Sequence, residues 1–190
     1  IGIAYQSLND YSSAITYLLK SLSIAEDLNA KLHIAMVYSN LGIAYKSLTD
    51  YNTAMTYHHQ SLQIAEELHH DQLQEVNISN LGMIYFKLHE NSLSIEFYLR
   101  ALSINRKLDD LHGEQINSLN IGSVYLEIGD YNKSLKYLIH SLQLANKINS
   151  RSGIINTYGS IGDVYFILKD YDNALTSYQK VNAIAKENDN

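Results

Sequence analysis

Between residues 34 and 48 the apolar side chains Ile34, Tyr38, Leu41, Tyr45 and Leu48 return at steps of three or four. That spacing lays one stripe along an α-helix of roughly five turns. From Asp50 the set Ala54, Met55, His58, Leu62, Ala65 and Leu68 repeats the rhythm, so a second helix follows after a very short turn. The pair then recurs along the chain. Gly2, Gly42, Gly82, Gly122 and Gly162 stand 40 residues apart, with Tyr5, Tyr45, Tyr85, Tyr125 and Tyr165 three residues after each and Leu8, Leu48, Leu88, Ile128 and Leu168 six after. Asp10, Asp50, Asp130 and Asp170 each precede a tyrosine; the third copy reads Glu90-Asn91 instead. Asp there predicts an N-cap for the second helix, which accepts backbone N–H bonds and meets the positive end of the macrodipole. Each recurring glycine falls inside a first helix, where it costs up to about 1 kcal/mol relative to Ala, so close approach of the second helix is the physical reason to keep it.

Self-similarity at this period predicts a stack of helical pairs, each touching its neighbours only. The 190 residues hold about 4.75 copies: a truncated repeat over 1–30, then repeats over 31–70, 71–110, 111–150 and 151–190. Nine full helices and one short one are expected. Zero proline fits uninterrupted helices, and their ends fall to Asn29, Asp109, Gly129 and Asn149. Twelve of the 16 tyrosines sit in three columns, the third being Tyr17, Tyr57 and Tyr137 with Phe97 standing in. Leu22, Leu62, Leu102 and Leu142, and Leu28, Leu68, Leu108 and Ile148, mark the face expected to meet the next repeat. The last copy has Asn182 and Asn188 there, which reads as a polar end near the close of the array.

Composition narrows the chemistry. Fourteen Lys and Arg against 20 Asp and Glu give a net charge of −6, with no basic run to meet a phosphate backbone or an anionic lipid surface, so neither nucleic acid nor membrane is an expected partner. Zero cysteine removes disulfides, thiolate nucleophiles and cysteine zinc sites. No apolar run reaches membrane-spanning length, and the opening Ile1-Gly2-Ile3 has neither an initiator Met nor a charged leader, so the chain is expected to be a segment of a longer, cytoplasmic protein.

The pattern Leu41-Gly42 with Tyr45, then Ala54, Tyr57 and Ser61, returns as Leu81-Gly82 with Tyr85, Ser94, Phe97 and Ala101, and as Ile121-Gly122 with Tyr125, Ser134, Tyr137 and Ser141. It resembles the tetratricopeptide repeat. The 40-residue period and the missing proline near the end of the second helix match the longer-helix branch, to which kinesin light chains, Pins-type adaptors and bacterial regulatory arrays belong. The resemblance implies an all-α fold, a right-handed superhelical solenoid of antiparallel helix pairs whose first (A) helices line a concave groove.

At about 100° per residue, Met36, Asn40, Ile43 and Ser47 gather on the A-helix face turned from the core stripe. Later copies put Val76, Asn80, Met83 and Lys87 there, then Ile116, Asn120, Ser123 and Glu127, then Asn156, Ser160, Asp163 and Ile167. Asn40, Asn80 and Asn120 form a ladder that ends at Ser160, with Asn77 and Asn117 one turn away on the flank. A carboxamide offers both a donor and an acceptor, so such a row can bond an extended peptide backbone whatever its side chains; the resemblance implies the same use. The other reading is that these asparagines bridge neighbouring A helices. At about 0.5 to 1.5 kcal/mol per hydrogen bond the ladder falls short of the roughly 8 kcal/mol of micromolar binding, so apolar positions, Ile43, Met83, Phe86, Leu126 and Phe166, have to supply the rest unless the two phenylalanines pack under the next repeat.

The resemblance does not extend to particular ligands. The family's two-carboxylate clamp needs cations where this chain has Ile43, Ser39, Asn80, Ser79, Val76 and Asn120, and the asparagine that Pins-type adaptors place after Leu-Gly is replaced by Ile43, Met83, Ser123 and Asp163. His58-His59 and His69-His70-Asp71 suggest chelation, but adjacent helical residues diverge by about 100° and cannot close on one ion from a single face. No catalytic constellation, cofactor motif or metal site is read. The expected function is that of a protein-interaction module which is not an enzyme and binds a peptide segment of a partner. A regulatory domain fused to a kinase or cyclase, or a scaffold that forms homo-oligomers through its terminal repeats, is the alternative.

Overall fold

The computed structural model describes residues 1–186; Asn188, read above as part of a polar end, lies outside them. Ten helices occur among the described residues: α1 (Gly2–Ser7), α2 (Tyr11–Asp27), α3 (Lys31–Ser47), α4 (Tyr51–Glu67), α5 (Asp71–Lys87), α6 (Asn91–Lys107), α7 (Leu111–Glu127), α8 (Tyr131–Lys147), α9 (Arg151–Ile167) and α10 (Tyr171–Lys186). Odd-numbered helices are A helices and even-numbered ones B helices. The chain divides into two compact units, Ile1–Leu93 and Ser94–Asn190.

Every interhelical turn is built alike. One residue takes the left-handed conformation, Asn29 at φ 50°, Asp109 at φ 53°, Asn149 at φ 52° and Gly129 at φ 81° among them. The residue after it donates its N–H five residues back, as Ala30 does to Ala25 and Asp50 to Tyr45. This closes the orphan carbonyls at the helix end without proline. Asp10, Asp50 and Asp130 then cap α2, α4 and α8 by accepting from Ser13, Thr53 and Lys133, and Asp170 accepts from Asn173.

In the first unit each helix packs on the next and α3 also meets α5; in the second, α7 to α10 follow the same order and α7 meets α9. The tyrosine columns meet inside each repeat: Tyr5 stacks on Tyr17 at 5.3 Å and Tyr45 on Tyr57 at 5.6 Å in one unit, and Tyr125 on Tyr137 at 5.8 Å in the other. Paired rings join the A and B helices of one repeat beyond simple area burial, which gives the abundance of tyrosine a structural cause.

The A helices are buried more broadly than their stripe suggested. On α3 the covered residues are Ala35, Val37, Ser39, Leu41, Gly42 and Ala44, whereas Leu48 lies exposed at the turn. An A helix packs on its own B helix and on the preceding one, so two faces close instead of one. Among the leucines expected to meet the next repeat, Leu62 and Leu102 are buried, while Leu28 and Leu68 are exposed C-cap residues.

Candidate functional site

The outward face of each A helix is what the packing leaves open. In the first unit it carries Met36, 47% exposed, with half-buried Asn40 and Ile43 on α3, and Val76, 37% exposed, with half-buried Asn80 and Met83 and exposed Lys87 on α5. In the second unit it carries Ile116, 38% exposed, half-buried Asn120 and Ser123 and exposed Glu127 on α7, then Asn156, Ser160, Asp163 and Ile167 on α9, of which only Ser160 is half-buried. Each unit thus opens a row of apolar and neutral polar side chains beside one another, with few charges.

Hydrogen bonding qualifies the asparagine ladder. The Nδ2 of Asn40 donates to the Met36 carbonyl at 2.9 Å, and that of Asn80 to the Val76 carbonyl at 2.7 Å; Ser160 does the same toward Asn156 at 3.2 Å. One amide hydrogen of each asparagine is therefore spent on its own helix. Neighbouring A helices are also bridged, through the column that precedes the turn. Gln6 Nε2 donates to the Asn40 backbone carbonyl at 2.8 Å, and Lys46 Nζ to Asn80 Oδ1 at 2.5 Å. Both readings of the ladder thus have a structural counterpart: the asparagines lie on the open face and Asn80 also ties α5 to α3.

Asn77 and Asn117 do not flank that face; they are fully buried. Asn77 Nδ2 donates to Ser61 Oγ at 2.8 Å and to the Leu73 carbonyl at 2.7 Å, and its Oδ1 pairs with His58 Nδ1 at 2.9 Å. Ser61 in turn donates to the Ala35 carbonyl at 2.7 Å. In the second unit Asn117 Nδ2 donates to Asn105 Oδ1 at 2.7 Å, and Ser141 joins the Gln115 carbonyl to Thr157. These polar groups hold each B helix against the next A helix. A buried carboxamide is tolerated only when so satisfied. Ser39 is likewise covered rather than open.

His58 is a packed core residue with a polar attachment. Because Asn77 spends both amide hydrogens, His58 Nδ1 has to be the protonated nitrogen, and Nε2, buried and without a hydrogen-bond partner, is left bare. Burial first of all, and the nearby charges of Lys46 and His59, hold its pKa down to about 4, against the opposing effect of the hydrogen bond it donates to Asn77. His70 caps α5 by accepting from the Leu73 N–H at 3.2 Å, and no group of three or more metal-ligating side chains is gathered among the described residues. Phe166 is 58% exposed, edge-on to Tyr171 at 5.9 Å.

Lys46 is the residue that the reading of the open face passed over. Its ammonium is half-buried, meets Asn80 Oδ1 and also Met83 Sδ at 3.5 Å, and burial pushes its pKa down. The signal was present in its column, which reads Gln6, Lys46, Phe86, Leu126 and Phe166: a lone cation in a mostly apolar position.

The profile of the tetratricopeptide repeat matches residues 1–67, 33–107 and 114–187, which is nearly the whole chain. The chain belongs to the tetratricopeptide repeat family. Its fold is accordingly an all-α helical-repeat solenoid, and its role that of a protein–protein interaction module, in a family of repeat scaffolds. Among solved structures, this tetratricopeptide array is similar to BtubC (BKLC) from P. vanneervenii, with a TM-score of 0.88 and 18% identity over 99% of this chain and 78% of that one. It is also similar to the apo form of RapI, at 0.90 and 21% over 99% and 69%. A Rap protein complexed with competence and sporulation factor matches at 0.85 and 16%, over 98% of this chain and 52% of that one. No curated protein sequence matches. Among the described residues no helix is long and apolar enough to cross a membrane.

Proposed function

We propose that this tetratricopeptide array binds a peptide segment of a partner protein on the open faces of its A helices, within the repeats framed at 31–70, 71–110, 111–150 and 151–190. The observation that carries the reading is the pair Met36 and Val76 in the first unit, with Ile116 at the same register position of the repeat in the second. Three large apolar side chains stand exposed at one register position, each four residues before an asparagine of the ladder. Burying such chains supplies about 25 cal/mol per Å² of apolar area, the contribution that the asparagines alone lack. A Rap protein of similar fold has been solved in complex with competence and sporulation factor, which supports ligand binding by an array of this kind. Asn40 and Asn80 each retain a second amide hydrogen for a peptide carbonyl.

Exchanging Val76 for aspartate tests this. Val76 is exposed, so helicity and melting temperature are expected to change little, while retention of the peptides selected by the parent chain falls at least tenfold. Leu99→Asp, at an exposed position of the B helix α6, is the control expected to retain them. Equal retention by both variants would move the binding surface off the A helices.

A further inference from the structure

The ammonium of Lys46 has no carboxylate within ion-pair distance among the described residues, though exposed carboxylates elsewhere do find cations, as Glu67 finds Lys31 and Asp130 finds Lys133. It is held half-buried on the open face of the first unit by two neutral acceptors, Asn80 Oδ1 and Met83 Sδ. A cation withdrawn from water without a counter-charge is costly, and an ammonium has three hydrogens to give. With two directed at Asn80 and Met83, one remains for an oxygen arriving from solvent. Asn80 Nδ2 likewise keeps one hydrogen after bonding the Val76 carbonyl. Two donors, one of them charged, therefore stand side by side on a face whose apolar members are Met36, Ile43, Val76 and Met83 and whose other polar ones are Asn40, Ser47 and Lys87.

We propose that Lys46 and Asn80 form a subsite for a single carboxylate, the side chain of an aspartate or glutamate within an otherwise apolar peptide segment. This rests on the reading that the A-helix face binds peptides and names one feature of what it takes. Charge complementarity identifies the group: an incoming carboxylate neutralises Lys46 and accepts from both donors. The subsite itself holds one cation against the Met83 thioether, so it matches one carboxylate. Met83 touches the ammonium and exposed Met36 and Val76 extend the face beyond it, while a chain of net charge −6 repels a polyacidic segment.

The test is a selection of displayed random nonapeptides on the full chain and, in parallel, on Lys46→Met, which keeps an apolar stem of similar length. Selected peptides are then synthesised with the acidic residue intact or changed to its amide, each with a free or an amidated C-terminus. The expected result is a pool from the parent chain enriched in one Asp or Glu among apolar residues. Glu→Gln in such a peptide is expected to weaken binding at least tenfold to the parent chain and less than twofold to Lys46→Met, with no effect of C-terminal amidation. Peptides that bind but show the same Glu→Gln effect on both proteins, or none on either, would overturn the subsite and leave the peptide-binding reading standing. Loss on amidation alone would replace the side chain by a terminal carboxylate and overturn the proposal as stated. Failure to enrich any peptide, with circular dichroism showing both proteins folded, would overturn both readings.

Discussion

Gly42→Ala is expected to destabilise the first unit by about 1 to 3 kcal/mol, the usual cost of overpacking, although helix propensity alone predicts a gain of up to about 1 kcal/mol. The added Cβ would lie 2.7 Å from His58 Cε1 and Nε2 and 2.8 Å from Cδ2. That ring cannot swing away, because it is fully buried and its Nδ1 is tied to Asn77. Gly122 meets the same obstacle in Leu138, whose Cγ would be 2.7 Å away and whose backbone nitrogen 3.3 Å. Gly162 is opposed by Tyr178, whose hydroxyl donates to Asp163 at 2.8 Å but whose ring lies at the surface, so Gly162→Ala should cost less than Gly42→Ala. Gly159 faces nothing within 4 Å and its alanine variant is expected to gain stability. Thermal or urea unfolding of the four single variants tests the ranking. A Gly42→Ala chain as stable as the parent would show that α3 and α4 part by a few tenths of an ångström at negligible cost.

The 40-residue period, the A and B helices, the aspartate caps and the helix ends at Asn29, Asp109, Gly129 and Asn149 were legible in the sequence, because each rests on a local rule; Thr49, His69, His89 and Lys169 take the same left-handed conformation without the residue types that announce it. The division of polar residues between interior and open face was not legible. Asn77 lies only three residues from Asn80, and a helical wheel with one assumed core stripe puts both near the outside; the second packed face of an A helix swallows the first and leaves the second. The chain did hold a clue. At the junction of the first two repeats the equivalent pair is Leu18 with Val37, and at the next it is His58 with Asn77. Apolar partners exchanged together for hydrogen-bonding ones point to a buried contact. Lys46 stood out in its column only as a lone cation, and the acceptor it meets shows only when the neighbouring A helix is in place.

That pairing gives the second large effect. The imidazole of His58 takes a proton near pH 6.5 in an unfolded chain and near 4 in the folded one. Above the higher value the residue is neutral in both states and folding is unaffected. As the pH falls through the window the unfolded state binds a proton that the folded state refuses, so stability drops by up to about 1.4 kcal/mol per pH unit, on the order of 3 kcal/mol in all. The refusal has a geometric cause: Nε2, the only site left for the proton, is buried with no acceptor. Glu114 also has a displaced pKa; burial raises it, but hydrogen bonds and charge from His140 and Arg106 outweigh that and hold it low, so its contribution is lost only in the more acidic range where carboxylates protonate. Between pH 7 and 5 the response therefore belongs mainly to His58. The double variant His58→Leu with Asn77→Val, which copies the Leu18 and Val37 junction, is expected to melt at a temperature nearly independent of pH over that range, while the parent chain loses several degrees. His58→Leu alone leaves the Asn77 carboxamide oxygen buried without its donor and is expected to be less stable than the double variant at every pH. Parallel melting curves for the parent and the double variant would place the acid sensitivity outside this junction.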